Sequence, residues 1–345
     1  MNGKKFIFAL ILISFMLPDP DVYGQNVGSV TKVGTTSAAF LEIGVGSRAI
    51  GMGGAFVAIA NDATALYWNP AGIASLQRNE VVFVHTEWLA DINFDFAGLV
   101  IPLGNAGTLG GMVTVLSTAD LPERTIDMPE GTGNFFSVGD LAIGLSYAIN
   151  LTDRFAIGTT FKYINQRISL MSANGFAVDF GATFDTGLYG VRLGVALTNF
   201  GTDMKLSGKD ALVFVDIDPI KRGNNDRIEA RLDTDSWPLP LTFQAGVAKE
   251  IASGNNSQLT LSVDFVHPTD NTESLNLGFE YTLWKAFSLR GGYRNLLIDD
   301  SEESFTFGGG LTTHFLGNLK LKIDYAYADF GRLNNTQRFS LALEF

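Results

Sequence analysis

The stretch LKLKIDYAYADFGRLNNTQRFSLALEF, residues 319–345, carries two runs in which apolar and polar side chains alternate. In the first, Leu319, Leu321, Ile323, Tyr325 and Tyr327 are separated by Lys320, Lys322, Asp324 and Ala326. A strand turns successive side chains to opposite faces, so each run has one apolar and one polar face. The same period extends back along the chain. Leu275, Leu277, Phe279, Tyr281 and Leu283 alternate with Asn276, Gly278, Glu280 and Thr282, and Leu259, Leu261, Val263 and Phe265 with Thr260, Ser262 and Asp264. A water-soluble sandwich alternates in the same way, so the period alone leaves the two architectures open.

Count, length and connections separate them. Strands are expected near 80–89, 92–102, 107–117, 135–149, 154–168, 174–186, 191–200, 238–250, 257–267, 273–284, 286–296, 304–316, 319–330 and 336–345. The number is even, and many runs reach the roughly 9–11 residues that a tilted strand needs to cross a bilayer. Links after even-numbered strands are short, as at Leu151-Thr152-Asp153 and Leu316-Gly317-Asn318. Several links after odd-numbered strands are long and polar, notably 118–134 and 201–237. One short-turn rim and one long-loop rim is the pattern of an outer-membrane barrel with its short turns in the periplasm. Trp88 and Trp237 are expected at outer strand ends and Trp284 at a periplasmic end, where indoles favour the membrane interface. The expected fold is all-β: a fourteen-stranded antiparallel transmembrane barrel over residues 79–345.

Composition agrees. Of 345 residues, 38 are Gly and 27 are Phe, and only 17% are charged. Mean hydropathy is +0.17, yet no apolar run reaches the roughly 18 residues of a spanning helix. Closed strands with one apolar face reconcile these facts, because lipid cannot satisfy an open sheet edge. The formal charge of −12 opposes binding to nucleic-acid phosphate. With no cysteine, thiol nucleophiles, disulfides and Cys-based metal sites are excluded. Polar-face residues such as Asp179, Arg192, Arg290, Arg294 and Glu344 are expected to face a solvated lumen.

The N-terminus reads as an address. Lys4 and Lys5 precede the apolar run Phe6–Leu17, and Val22-Tyr23-Gly24 sets small residues at the −3 and −1 positions before Gln25. This is a secretory signal peptide over residues 1–24, expected to be cleaved. At the other end, Phe339, Leu341, Leu343 and the terminal Phe345 form an amphipathic last strand. It resembles the signal read by the outer-membrane barrel-assembly machinery.

Between address and barrel, residues 25–78 lose the alternation. Asn61 and Asp62 are placed to cap a short helix through Trp68, Asn69-Pro70 ends it, and Pro70 suits the first position of a further turn. Gly44, Gly46 and Ala49 mimic a dinucleotide fingerprint, but no βαβ unit follows to give it meaning. The sequence SRAIGMGGAFVAIANDATALYWNPAGIASL, residues 47–76, resembles the N-terminal motif of the PorV/PorQ family, outer-membrane barrels related to the FadL fatty-acid transporters. Arg48, Gly51, Gly53, Gly54, Ala63, Trp68, Asn69, Pro70 and Ala71 stand in family-like order. The resemblance implies that residues 35–77 form a hatch inside the barrel. It also implies outer-membrane lipid as the surroundings, and a role in type IX secretion, handling exported cargo proteins and passing them to surface-attachment components. The alternative it leaves open is a FadL-like channel for a hydrophobic ligand.

An enzyme is not expected. His85, His267 and His314 are the only histidines, and none lies in a recognisable catalytic motif. No cofactor and no metal are expected. The acidic run Asp299, Asp300, Glu302 and Glu303 lacks a complete calcium-loop motif.

Overall fold

The structure is a computed structural model. It describes residues 32–216, 220, 227–252, 256–298, 301–315 and 319–345. The address at residues 1–24 lies outside the described residues, as do Asp299 and Asp300.

Fourteen long strands form the wall. They are β1 (Glu80–Glu87), β2 (Asn93–Pro102), β3 (Thr108–Ser117), β4 (Val138–Thr152), β5 (Phe155–Ile168), β6 (Met171–Asp185) and β7 (Val191–Gly201). The second half comprises β8 (Thr242–Ala252), β9 (Ser257–Pro268), β10 (Ser274–Leu283), β11 (Phe287–Tyr293), β12 (Phe305–Phe315), β13 (Leu319–Asp329) and β14 (Asn335–Glu344). Each pairs antiparallel with its neighbours in sequence order. The ring closes where β1 meets β14, with Glu80 opposite Glu344 and Glu87 opposite Gln337. Closure leaves no wall edge unpaired, the condition lipid imposes.

Alternation now has a direction. In β1, Glu80, Val82, Val84 and Thr86 are buried inward, while Phe83, His85 and Glu87 point out. Outward Phe83, Phe161, Phe180, Phe279, Phe307 and Phe339 are each about half exposed. These make the apolar band a bilayer requires. Short turns join β2 to β3, β4 to β5 and β6 to β7, and they mark the periplasmic rim. The long connections lie on the opposite rim and carry structure of their own. Leu121–Pro122 pairs with Phe135–Phe136, Met204–Lys205 with Ser236–Trp237, and Leu212–Val215 with Ile228–Arg231. Trp237 therefore sits in an outer excursion, five residues before β8 begins, rather than at a wall-strand end. Trp88 follows β1 at the outer rim but packs edge-on against Phe330. Trp284 is exposed in the periplasmic turn after β10, as the sequence pattern requires.

Inside the ring lies a plug of little regular structure. It contains α1 (Ser47–Gly51), α2 (Ala65–Trp68) and 3₁₀ turns at Ala39–Glu42 and Pro70–Ser75. Asn69 caps the last turn through Ala71 N, and Pro70 occupies its first position. The cap of α2 differs from expectation. Thr64 holds the N-cap position, while Asp62 accepts from Thr64 N at 2.9 Å and leaves Asn61 to Arg48. Ile50, Met52, Phe56, Ile59, Leu66 and Ile73 are fully buried, each contributing about 1.5–3 kcal/mol.

Candidate functional site

The plug meets the wall where the wall has no side chains. A Cβ at Gly158 of β5 would stand 2.5 Å from Pro70 C and Ala71 N. Gly181 of β6 lies against Asn69, Gly194 of β7 against Val57 and Ala58, Gly278 of β10 against Met52, and Gly292 of β11 against Gly53. Gly51 faces Gly308 of β12, so two backbones touch directly. Gly53 needs its hydrogen twice over. Its φ is +67°, and a Cβ there would stand 2.7 Å from Leu277 O.

Irregular backbone leaves amides without ladder partners, and buried amides must find acceptors. Wall side chains supply them. Asp264 of β9 accepts from Phe56 N at 2.7 Å and Val57 N at 2.8 Å. Glu80 of β1 accepts from Ala63 N at 2.8 Å, Ser340 of β14 from Ser47 N at 2.8 Å, and Thr306 of β12 from Gly53 N at 2.9 Å. In return Asn69 donates to Val57 O within the plug and to Ala182 O of β6. Trp68 donates from Nε1 to Val45 O at 2.8 Å and packs edge-on to Phe56.

On its periplasmic side the plug faces a polar chamber of 390 Å³. Arg48 reaches into it from α1. Its Nε and Nη2 form a two-pronged pair with Glu280 at 3.0 and 2.9 Å, and its Nη1 meets Asp62 at 3.0 Å. Arg290 bonds the same Glu280 and also Asp324, at 2.6 Å each. Lys322 bonds Glu80 at 2.6 Å. Burial opposes charge on Arg48, but Glu280 and Asp62 outweigh it and hold the guanidinium proton more tightly than usual. Burial likewise opposes ionisation of Asp62, yet Arg48 and Lys322 keep its carboxyl below the ordinary value.

On the outer side a second chamber of 220 Å³ is lined by Glu42, Tyr67, Lys162, Asn199, Arg294 and Glu303, among others. Lys162 pairs with Asp179 at 2.8 Å beneath a bulge at Asn199, whose φ is +64°. Arg294 pairs with Glu303 at 3.0 Å. Burial first, then the Asp270 carboxylate, pushes Glu42 up to about 7.

A ring of fourteen strands around a Gly-rich plug has known counterparts. It matches CymD, a monoaromatic hydrocarbon channel, with TM-score 0.58 at 14% identity, over 88% of this chain and 97% of that one. It also matches the Pseudomonas putida toluene transporter TodX (0.55, 11%, 87% and 97%) and a Pseudomonas aeruginosa FadL homologue (0.50, 13%, 87% and 98%). These likenesses establish the fold. In sequence, the family model of the type IX secretion system protein PorV matches residues 26–205, the plug and the first half of the wall. The chain belongs to the PorV family. It is an outer-membrane protein with a FadL-like barrel. A UPF0164 protein of Treponema pallidum (strain Nichols) is 27% identical over 179 residues, 48% of this chain and 44% of that protein. The chain thus spans less than half of that relative's length.

The family motif is where the structure concentrates plug–wall contacts. Arg48, Gly51, Gly53, Gly54, Trp68, Asn69, Pro70 and Ala71 all lie in the plug. Among them Arg48, Gly51, Gly53 and Asn69 bind the wall directly, and Pro70 and Ala71 lie against Gly158. Gly54, at φ +74°, packs under Trp68. Phe339, Leu341 and Phe345 lie on the outward face of β14 or just beyond it, about half exposed, with Leu343 between them. Phe345 N donates to Asn79 O, which ties the end of the chain to the start of β1. The inward polar residues differ from expectation in their state. Asp179, Arg192, Arg290, Arg294 and Glu344 are held in ion pairs rather than simply solvated. Of the acidic outer loop, Glu302 pairs with Arg332 and Glu303 with Arg294. Among the described residues no group of three or more His, Cys, Asp or Glu side chains is placed to hold a metal.

Sequence reasoning passed over Asp264, Glu80, Glu280 and Lys322. A usable signal existed: glycines on the inward parity of six wall strands, at Gly98, Gly110, Gly158, Gly181, Gly194 and Gly278, mark a level where something other than water fills the ring.

Proposed function

We propose that this barrel is a non-enzymatic handling component of type IX secretion, holding exported proteins at its outer rim and passing them to surface-attachment components. The observation that carries the reading is the plug. It is bonded to strands around the ring and stands between the two chambers, so a folded cargo is served from outside rather than through the lumen. The outer excursions 118–137 and 202–241 provide the reach, and they expose Ile126, Met128, Phe135 and Phe214. Membership of the PorV family supplies the secretion context.

The test compares two variants. Shortening 201–237 to a tight turn should abolish retention of cargo at the cell surface and leave heat-modifiable migration of the barrel intact, because the fourteen wall strands close without this excursion even as the buried Met204 is lost. Replacing Pro238 and Pro240, at the entry to β8, should leave retention unchanged. Normal retention after loop shortening, together with loss of labelled fatty-acid uptake in the proline variant, would replace this reading by a channel for hydrophobic solutes.

A further inference from the structure

Buried basic side chains in this barrel are matched to carboxylates. Arg48 has Glu280 and Asp62, Lys162 has Asp179, Arg290 has Glu280 and Asp324, and Lys322 has Glu80. Arg338 breaks the rule. It points inward from β14 near the outer rim and is 0% exposed. No carboxylate among the described residues lies within ion-pair distance of it. Its Nη1 donates to Thr336 Oγ1 at 2.7 Å, while Nε and Nη2 are buried with no acceptor. Those two N–H groups lie along one edge of the guanidinium and run parallel, the spacing that two oxygens of a planar oxyanion match. Directly across the ladder stands Thr86, also 0% exposed, whose Oγ1 is buried without a partner.

The surroundings define the rest of the site. The indole of Trp88 covers the guanidinium face, 5.2 Å from Cζ to the ring centroid, and is itself braced by Phe330. Buried Phe94 neighbours Thr86 on β2, and small Ala326 neighbours Arg338 on β13. Trp88 begins the turn to β2, in which Ala90 and Asp91 both take φ near +58°, a region costly for side chains other than glycine. Beyond that turn lies a rim chamber of 460 Å³. Arg294, a second lumen-facing guanidinium at this end, has its Nη1 engaged by Glu303 while its Nε is buried without an acceptor. One unmatched positive charge therefore calls for one negative charge. A planar monovalent carboxylate matches this single guanidinium edge, whereas among the described residues the neighbouring cation, Arg294, is already paired with Glu303 and leaves the second charge of a phosphate unmatched.

We propose that Arg338 and Thr86 form a binding site for a carboxylate group, reached from the outer rim when Trp88 swings aside. Arg338 grips both oxygens through Nε and Nη2, Thr86 donates from Oγ1, and Trp88 closes over the occupied site. The experiment uses the full-length barrel in nanodiscs, with trifluoroacetate as probe at constant ionic strength and ¹⁹F line broadening as readout. Wild type should broaden the line saturably, and acetate should compete. Arg338→Met should weaken binding roughly tenfold or more, Thr86→Val by roughly threefold to tenfold. Trp88→Ala should speed exchange of the probe. Heat-modifiable migration reports folding of each variant, and if Arg338→Met does not fold, the wild-type and Thr86→Val titrations decide. Absence of saturable broadening in wild type, as buried water alone would give, overturns the proposal. So does equal broadening by wild type and Thr86→Val.

Discussion

The two ends of the lumen are built from the same residue types and differ in how completely they are paired. At the periplasmic end Arg48 and Arg290 share Glu280 and reach Asp62 and Asp324, and Lys322 pairs with Glu80 and Glu344 beside them. At the outer end Arg338 has no carboxylate partner among the described residues, and Glu42 lies beside Asp270, another acid. A buried ion is tolerated when its remaining hydrogen-bonding capacity is met and is unfavourable when it is not. The periplasmic end is thus a lock, and the outer end is where small changes of charge or ligand can be felt.

Removing the plug is the most severe way to break that contrast. Deleting residues 35–77 while keeping the signal peptide should give a barrel of higher conductance in planar bilayers than the intact protein. Unchanged conductance would place the barrier elsewhere. Arg48→Ala attacks the lock alone. It strips Glu280 and Asp62 of their shared partner and should loosen the plug by about 2–4 kcal/mol, read as faster hydrogen exchange at plug amides. Asn69→Ala leaves the cluster intact but removes the bonds to Val57 O and Ala182 O. An effect of about 1–3 kcal/mol on the same exchange is expected, confined to residues near 57–71.

The smallest effect belongs to the outer end and depends on pH. Glu42 holds its proton more tightly in the docked plug, with its titration raised from 4.5 to about 7. Its contribution to docking is therefore full below about pH 4.5 and is lost as the pH rises through about 7. The urea concentration that releases the plug should fall across this window, and Glu42→Gln should flatten the fall. Because the Glu42 side chain is partly in solvent, the change should be smaller than that of either substitution above.

How much of this could be read from the chain follows from what each face must do. The fourteen wall strands were legible because lipid demands an apolar residue at every second position, and turns punctuate the rows. Asn69-Pro70 announced the end of α2 through backbone constraint alone. The latches were not legible. Asp264 and Asp324 occupy the same kind of position in alternating runs, yet Asp264 captures two plug amides and Asp324 an arginine of β11. Only the register of distant strands against the plug distinguishes them. The state of the inward charges was misread for the same reason, because a solvated lumen and an ion-paired one share the same alternation. Trp237 went astray because an outer excursion pairs locally and displaces the start of β8.

The hydrogen bonds that seat the plug tie the two ends of the barrel sequence together. Ser47 and Ser340 are 293 residues apart, and Gly53 and Thr306 are separated by 253. Contacts of such sequence separation form late, because long loops must close before they are rewarded. The plug is near the beginning of the chain, yet its acceptors on β12 and β14 are made last. An unfinished wall leaves those amides unsatisfied. Full satisfaction of the plug's amides thus requires a wall whose final strand has zipped against the first.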